Sequence, residues 1–146
     1  MSETAIRGTV KSTLQGVSGI GVVHDYIRES RSPTKFIELL IATGGTTVNG
    51  WMFSRIQTNA EWADFQKISH THVYTIEGYY EIVDGSGSEK TFQDLISAIQ
   101  TACDAATALN SLVPAPPLQV GFVGHKEIAD KLYHHCILTL SVGEII

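Results

Sequence analysis

Apolar residues recur along this chain with two different spacings, and each spacing predicts a different kind of element. Intervals of three and four residues predict amphipathic helices, because 3.6 residues complete one helical turn. A short N-terminal helix has its cap at Ser2 or Thr4, ends at Gly16, and carries an apolar stripe of Ile6, Val10 and Leu14. A second, long helix carries Phe92, Leu95, Ile96, Ile99, Cys103, Ala106 and Leu109. We expect a capping box of Ser86 and Glu89 to start this long helix.

Strict alternation of residue types predicts strands elsewhere. It is clearest in residues 69–83, which place His72, Tyr74, Ile76, Tyr80 and Ile82 on one face and Thr75, Glu77, Tyr79 and Glu81 on the other. We expect further strands in residues 19–28 and 48–56, the latter ending in the polar stretch 58–64. The C-terminal segment predicts a shorter strand followed by a long one. The long strand turns Leu132, His134, Cys136, Leu138, Leu140 and Val142 towards the long helix.

One apolar segment is ambiguous between helix and strand. Residues 35–45 follow Pro33, which suits the first turn of a helix, yet their apolar residues also alternate. Loops are predicted at residues 29–34 and 84–89, and a proline-rich crossover at residues 111–118. Together the elements predict a single α+β domain over residues 1–146. We expect an α/β sandwich in which a mixed, mostly antiparallel sheet packs against one long helix and one or two short ones.

Charge, apolar stretches and cysteine spacing indicate which partners and compartments are expected. The formal net charge is −5, so counterion-driven affinity for nucleic acid is not expected. The sequence contains neither a membrane-spanning apolar stretch nor a signal-peptide pattern at its start, and we expect synthesis in a cytoplasm. Cys103 and Cys136 lack metal or redox spacing and are expected to be buried thiols.

Histidines are the main candidates for chemistry. His134 and His135 are neighbours on a predicted strand, so they point to opposite faces and cannot share a metal ion there. His70 and His72 share a face, and such spacing can hold zinc, with His24 or Asp25 as a third ligand. The favoured interpretation is structural, with histidines that hydrogen-bond to backbone or carboxylates. We therefore expect no resident metal, no cofactor and no catalytic residue.

Other catalytic patterns are weak. The stretch GSGS at residues 85–88 resembles a nucleophile elbow only superficially and precedes a helix, so a capping role is favoured. Neither GTTVNG nor GSGSEK continues as a phosphate-binding loop. Glu77 and Glu81 share a strand face that we expect to be solvated or to face a partner.

Contact with a partner is the better-supported class of function. For the two tryptophans core packing is the default interpretation, but Trp and Arg are also favoured at binding hot spots. Loops on a rigid scaffold often carry binding residues. The candidate partner-binding residues are Arg28, Glu29, Arg31, Trp51, Arg55, Trp62, Asp84 and Ser86.

Several stretches in this order resemble the tail-terminator, or tail-completion, proteins of long-tailed bacteriophages. They are VHDY at residues 23–26, the GYY of residues 78–80 with the following D-x-x-x-S-E and F-Q, and the late HH-x-x-L-x-L with Glu144. The resemblance covers residues 16–144 and includes no catalytic motif. It implies an α/β sandwich with a largely antiparallel sheet.

The resemblance also implies a structural role in the virion. Such proteins form a six-membered ring that caps the tail tube at its neck end, stops its growth and offers a surface to the head. The implied partners are further copies of the chain, the tube protein, neck or head-completion proteins, and the sheath protein of a contractile tail. The alternatives are a neck or head-completion connector, a small histidine-dependent metalloenzyme, and a host binding module.

Overall fold

The computed structural model describes residues 2–106 and 115–145 of the chain. In this part the helices are α1 (Glu3–Gln15), α2 (Pro33–Glu38) and α3 (Ser88–Ala105), with a short 3₁₀ turn at Asp84–Ser86. The strands are β1 (Val22–His24), β2 (Asn49–Trp62), β3 (Ile68–Glu81), β4 (Gln119–Ile128) and β5 (Lys131–Ile145). The predicted α+β class with a mixed sheet is confirmed.

The strands form one sheet with the order β1-β2-β3-β5-β4. Only β1 runs parallel to its neighbour, and the pairs β2–β3, β3–β5 and β4–β5 are antiparallel. This order follows from two long hairpins, β2–β3 and β4–β5, joined through the pairing of β3 with β5. The central strand β3 therefore has partners along its whole length on both sides.

The main core lies between one face of the sheet and the helices α1 and α3. Helix α1 contributes its predicted stripe of Ile6, Val10 and Leu14. Tyr74 and Ile76 of β3 and the even-numbered residues 136–142 of β5 lie in the same core. Trp51 stacks on Phe92 of α3, with their ring centroids 5.8 Å apart. A Cβ atom on Gly78 would come within 2.2 Å of the Trp51 indole, so a glycine is needed opposite this tryptophan.

A second, smaller core covers part of the opposite face under α2. Leu40, Met52, Tyr79 and Tyr133 are buried there, and the ring of Phe36 meets that of Tyr79 edge-on at 5.7 Å. The expectation that the face of Glu77 and Glu81 is solvated is therefore wrong at Tyr79, which is only 2% exposed. The sheet is covered on both faces at this end, which the alternation on a single strand cannot reveal.

Helix boundaries agree with the sequence where local capping decides them. Ser2 Oγ accepts from the N–H of Ala5 and starts α1. Ser32 Oγ accepts from Lys35 and starts α2, with Pro33 in the first turn. Residues 33–38 are thus helical, and the helix covers only the first part of the ambiguous segment 35–45.

The predicted capping box at α3 is wrong. The helix starts at Ser88, and its cap residue is Gly87, whose φ of 69° suits a glycine. Ser86 instead donates its hydroxyl to the carbonyl of Val83. Leu109, predicted on this helix, and part of the crossover 111–118 lie outside the described residues.

Strand lengths differ from the sequence predictions. Only Val22–His24 of the expected strand 19–28 is extended, because β1 finds its partner over three residues of β2 alone. Strand β2, by contrast, runs on through the polar residues 57–62, which pair with the start of β3. On β5 the predicted inward face is confirmed except for Leu132, which is 53% exposed. No helix among the described residues is both long and apolar enough to cross a membrane.

Candidate functional site

The β2–β3 hairpin extends beyond both cores as an exposed arm. We define the hairpin arm as residues 55–67, every one of which is exposed. Asp64 builds its tip, since its carboxylate accepts from the backbone N–H groups of Gln66 and Lys67 at 2.8 and 3.0 Å. The arm therefore has a regular, hydrogen-bonded tip.

Large apolar side chains lie uncovered on this arm. Ile56 is 64% exposed, Trp62 71% and Phe65 fully. Trp62 lies opposite Ile68 on the neighbouring strand, and Trp62 and Phe65 line a shallow pocket at the tip. Uncovered apolar groups that lie close together typically mark a surface that contacts another molecule.

Exposed apolar residues also lie on the edge strand β4, with Val120 and Val123 on one face of the sheet and Phe122 on the other. Val120, Phe122 and Val123 are each more than a third exposed. The pairing of β4 with β5 shifts register between Val120 and Phe122, which is a bulge of the kind found on edge strands. On the other edge, β1 pairs with Gly50–Met52 only, so from Phe53 onward the side of β2 that faces away from β3 has no described strand partner. Both edges carry backbone groups that can pair with another chain.

The predicted partner residues do not form one surface. Arg55 and Trp62 lie on the arm, whereas Asp84 and Ser86 are exposed just beyond the opposite end of β3. Trp62 lies opposite Ile68 and Arg55 opposite Tyr74, so they are about 40 Å and about 25 Å from that end of β3. Glu29 and Arg31 are exposed in the loop before α2, and Arg28 is half-buried over the ring of Tyr26.

The prediction of Trp51 as a partner-binding residue is wrong. This side chain is completely buried in the main core, and its indole N–H donates to Asn49 at 2.9 Å. It therefore has no surface to offer a partner. Sequence reasoning also missed Phe65, Phe122 and Val123; the strongest available signal for Phe65 was an aromatic residue within an otherwise polar turn.

The histidine pair of β5 is structural. His134 and His135 point to opposite faces as expected, and they are only 4% and 5% exposed. His134 Nε2 lies 2.9 Å from the Ser88 hydroxyl, and His135 Nδ1 lies 3.2 Å from the carbonyl oxygen of Gly78. Burial is the main cause that lowers the pKa of each imidazole. His24 likewise contacts the backbone: its Nε2 lies 2.7 Å from the carbonyl oxygen of Leu39.

Ser88 and His134 have the spacing of a nucleophile and its base, but their surroundings leave no room for a substrate. The Ser88 oxygen also accepts from the N–H of Val83 at 2.9 Å, and both side chains are 4% exposed. The pair joins the end of β3, the start of α3 and β5. Cys103 and Cys136 are buried thiols as predicted, and burial is the main reason that their pKa values rise to about 12.

The pair His70 and His72 gains a partner that the sequence did not indicate. Glu144 of β5, rather than His24 or Asp25, completes the group, and its carboxylate lies 2.8 Å from His72 Nε2. Burial alone would raise the pKa of Glu144. That pKa is nevertheless below its ordinary value, and the hydrogen bond with His72 is the largest effect that lowers it.

Comparison with known proteins adds no identification. No protein-family model matches the chain, and no curated protein matches its sequence significantly.

Proposed function

We propose that this chain is a structural virion protein of the tail-terminator type, which caps a phage tail tube as a homomeric ring. The resemblance in residues 16–144 introduces the idea. The observation that carries it is the hairpin arm, where Trp62 and Phe65 lie uncovered at the tip and Ile56 lies uncovered at a register shift near the base. An isolated chain gains nothing from exposing these side chains, whereas an assembling subunit buries them.

A ring requires two different surfaces on each subunit, because one patch must meet another patch on the next copy. The hairpin arm and the exposed apolar residues Val120, Phe122 and Val123 of β4 supply such a pair. They lie on non-adjacent strands, and each borders an open sheet edge. In our proposal the arm of one subunit packs against β4 of the next, which repeats around the ring.

The charge of the chain supports a role around a DNA passage. With a formal net charge of −5, a ring of six copies carries about thirty negative charges in excess. Like charges repel phosphate, so DNA passes without strong binding to the lumen. The head or neck proteins are then the partners of the ring surface away from the tube.

The first experiment is electron microscopy of a phage lysate that lacks this gene. Overlong tails beside unattached, DNA-filled heads are the expected result, because nothing ends tube growth. Tails of normal length with unjoined heads would move the assignment to a neck or head-completion connector. Intact infectious particles would contradict a role in the virion.

A second experiment tests the ring surface directly. The double variant Trp62→Ser/Phe65→Ser is expected to fold normally but to lose ring formation on tube tips and complementation of the gene deletion. Tyr26→Ser is the matched control, since Tyr26 is an aromatic residue exposed by 53% outside both surfaces. Full complementation by the double variant would exclude the arm from the interface.

A further inference from the structure

Where the hairpin arm leaves the sheet, the paired strands β3 and β5 bring metal-binding side chains to one face. His70 and His72 lie on β3, and Glu144 lies directly opposite His70 on β5. One ligand atom from each side chain lies within 4.8 Å of the others. This arrangement is separate from the exposed apolar residues and from the buried pair at His134 and His135.

We propose that His70, His72 and Glu144 bind a divalent transition-metal ion, Zn²⁺ in the first instance. Two imidazole nitrogens and one carboxylate oxygen form a three-ligand zinc set that leaves a fourth position for water. At zinc–ligand distances of about 2.1 Å, tetrahedral ligand atoms lie about 3.4 Å apart. The observed spread requires the side chains to close by about 1 Å, which side-chain rotation allows.

The surroundings of His72 suit a ligand. Its Nδ1 lies 2.9 Å from the hydroxyl of Thr58 on β2, and its Nε2 faces Glu144. A hydroxyl both donates and accepts, so Thr58 satisfies Nδ1 with or without a proton. When a metal ion replaces the proton on Nε2, the Nδ1–H donates to Thr58. A hydrogen bond of this kind fixes the ring of a metal-binding histidine.

The site is shielded from solvent and held in place by the sheet. The side chains of His72 and Glu144 are only 6% and 13% exposed, and His70 is half-buried. All three ligands come from paired strands, so their backbone positions are fixed in the metal-free protein. The hydroxyl of Tyr74, two residues along the same face, is buried with no hydrogen-bond partner among the described residues.

The positive charge of Arg55 opposes the ion. The guanidinium of Arg55 lies 3.5 Å from Nδ1 of His72 and repels a cation at Nε2. This contact gives the site a distinctive response to substitution. Removal of a ligand weakens metal binding, whereas removal of the Arg55 charge strengthens it.

The test is zinc titration of the full chain, stripped with a chelator, by calorimetry and thermal unfolding. We expect one Zn²⁺ per chain and a higher unfolding midpoint. Loss of a hydrogen bond that supports a metal ligand typically costs 10–100-fold in affinity, so His70→Ala is expected to cost about 100-fold or more. Glu144→Gln is a second ligand variant should His70→Ala not fold. Circular dichroism establishes folding before each titration.

Two further variants separate this site from adventitious binding. His125→Ala removes an exposed histidine of β4 and is expected to leave zinc affinity unchanged. Arg55→Gln is expected to tighten zinc binding several-fold. Absence of binding by the unsubstituted protein at about 100-micromolar zinc, a concentration that saturates a site of micromolar Kd, would overturn the proposal. Unchanged affinity in a folded ligand variant would overturn it equally.

Discussion

The two halves of the β2–β3 hairpin share strands and hydrogen bonding but not their surroundings. Near Asn49 and Glu81 the hairpin lies between α1 and α3 on one face and α2 on the other. Beyond Arg55 it has neither helix nor core, yet β2 remains paired as far as Trp62. Apolar side chains therefore stabilise the fold in the first half and are available for assembly in the second.

The largest expected effect is a contrast between two phenylalanines. Phe92→Ala removes a ring that is 1% exposed and packs on Trp51, so it is expected to lower the free energy of unfolding by about 3–5 kcal/mol. Phe65→Ala, at the fully exposed arm tip, is expected to change it by less than about 0.5 kcal/mol. Urea unfolding measures both. A large loss for Phe65→Ala would mean that the arm packs on the subunit that carries it.

Two glycines, one in the packed half of the hairpin and one on the surface of α1, allow a second comparison of packed and open positions. Gly78→Ala forces a methyl group into the Trp51 indole and is expected to cost about 3 kcal/mol. Its matched control is Gly8→Ala on α1, where a Cβ meets nothing within 4 Å. That change is expected to stabilise the protein by about 0.5–1 kcal/mol, because alanine favours helix over glycine. Equal effects in thermal unfolding would contradict the packing of Trp51 against β3.

Serines at the start of α3 provide a smaller contrast. Ser88→Ala leaves the buried His134 and the N–H of Val83 without their shared partner, at an expected cost of about 1–3 kcal/mol. Ser86→Ala, two residues earlier and exposed, is expected to cost less than about 0.5 kcal/mol. Denaturant midpoints compare the two variants. The reverse order would restore Ser86 as the helix cap.

The smallest expected effect is on pH dependence. Burial, with His125 of β4 adding to it and Glu89 of α3 opposing it, lowers the pKa of His134 in the folded state. As the pH falls below about 6.5, His134 is therefore protonated in the unfolded chain before it is protonated in the folded one. The free energy of unfolding decreases in that range.

His134→Gln removes this titration and keeps an acceptor for the Ser88 hydroxyl. The ring of Tyr80 on β3 also faces His134. The loss of unfolding free energy between pH 8 and pH 5.5 is expected to shrink, by at most about 1.4 kcal/mol per pH unit. An identical pH dependence in the variant would show that His134 is not a source of it.

Local pattern was sufficient for several elements. The spacing of Ile6, Val10 and Leu14 predicted α1, because this helix buries one apolar face. Alternation predicted most of β3 and β5, because their residues that face the main core are mostly apolar. The half of β2 that lies in the hairpin arm was not predicted, because it lacks such a buried face. Residues 57–62 bury no face, so they have no alternation to detect, and only their pairing with β3 makes them a strand.

By itself, the sequence determined the α+β class, the amphipathic helices, and the opposite directions of His134 and His135, since these follow from backbone geometry and spacing. Only the tertiary structure decided that Trp51 is core and Trp62 is surface. Helix α3 packs on β2 at Trp51, whereas no described helix covers β2 at Trp62. The tertiary structure also brought Glu144 to His72 across 72 residues of sequence. Such a contact depends on the order and register of strands, which no local pattern specifies.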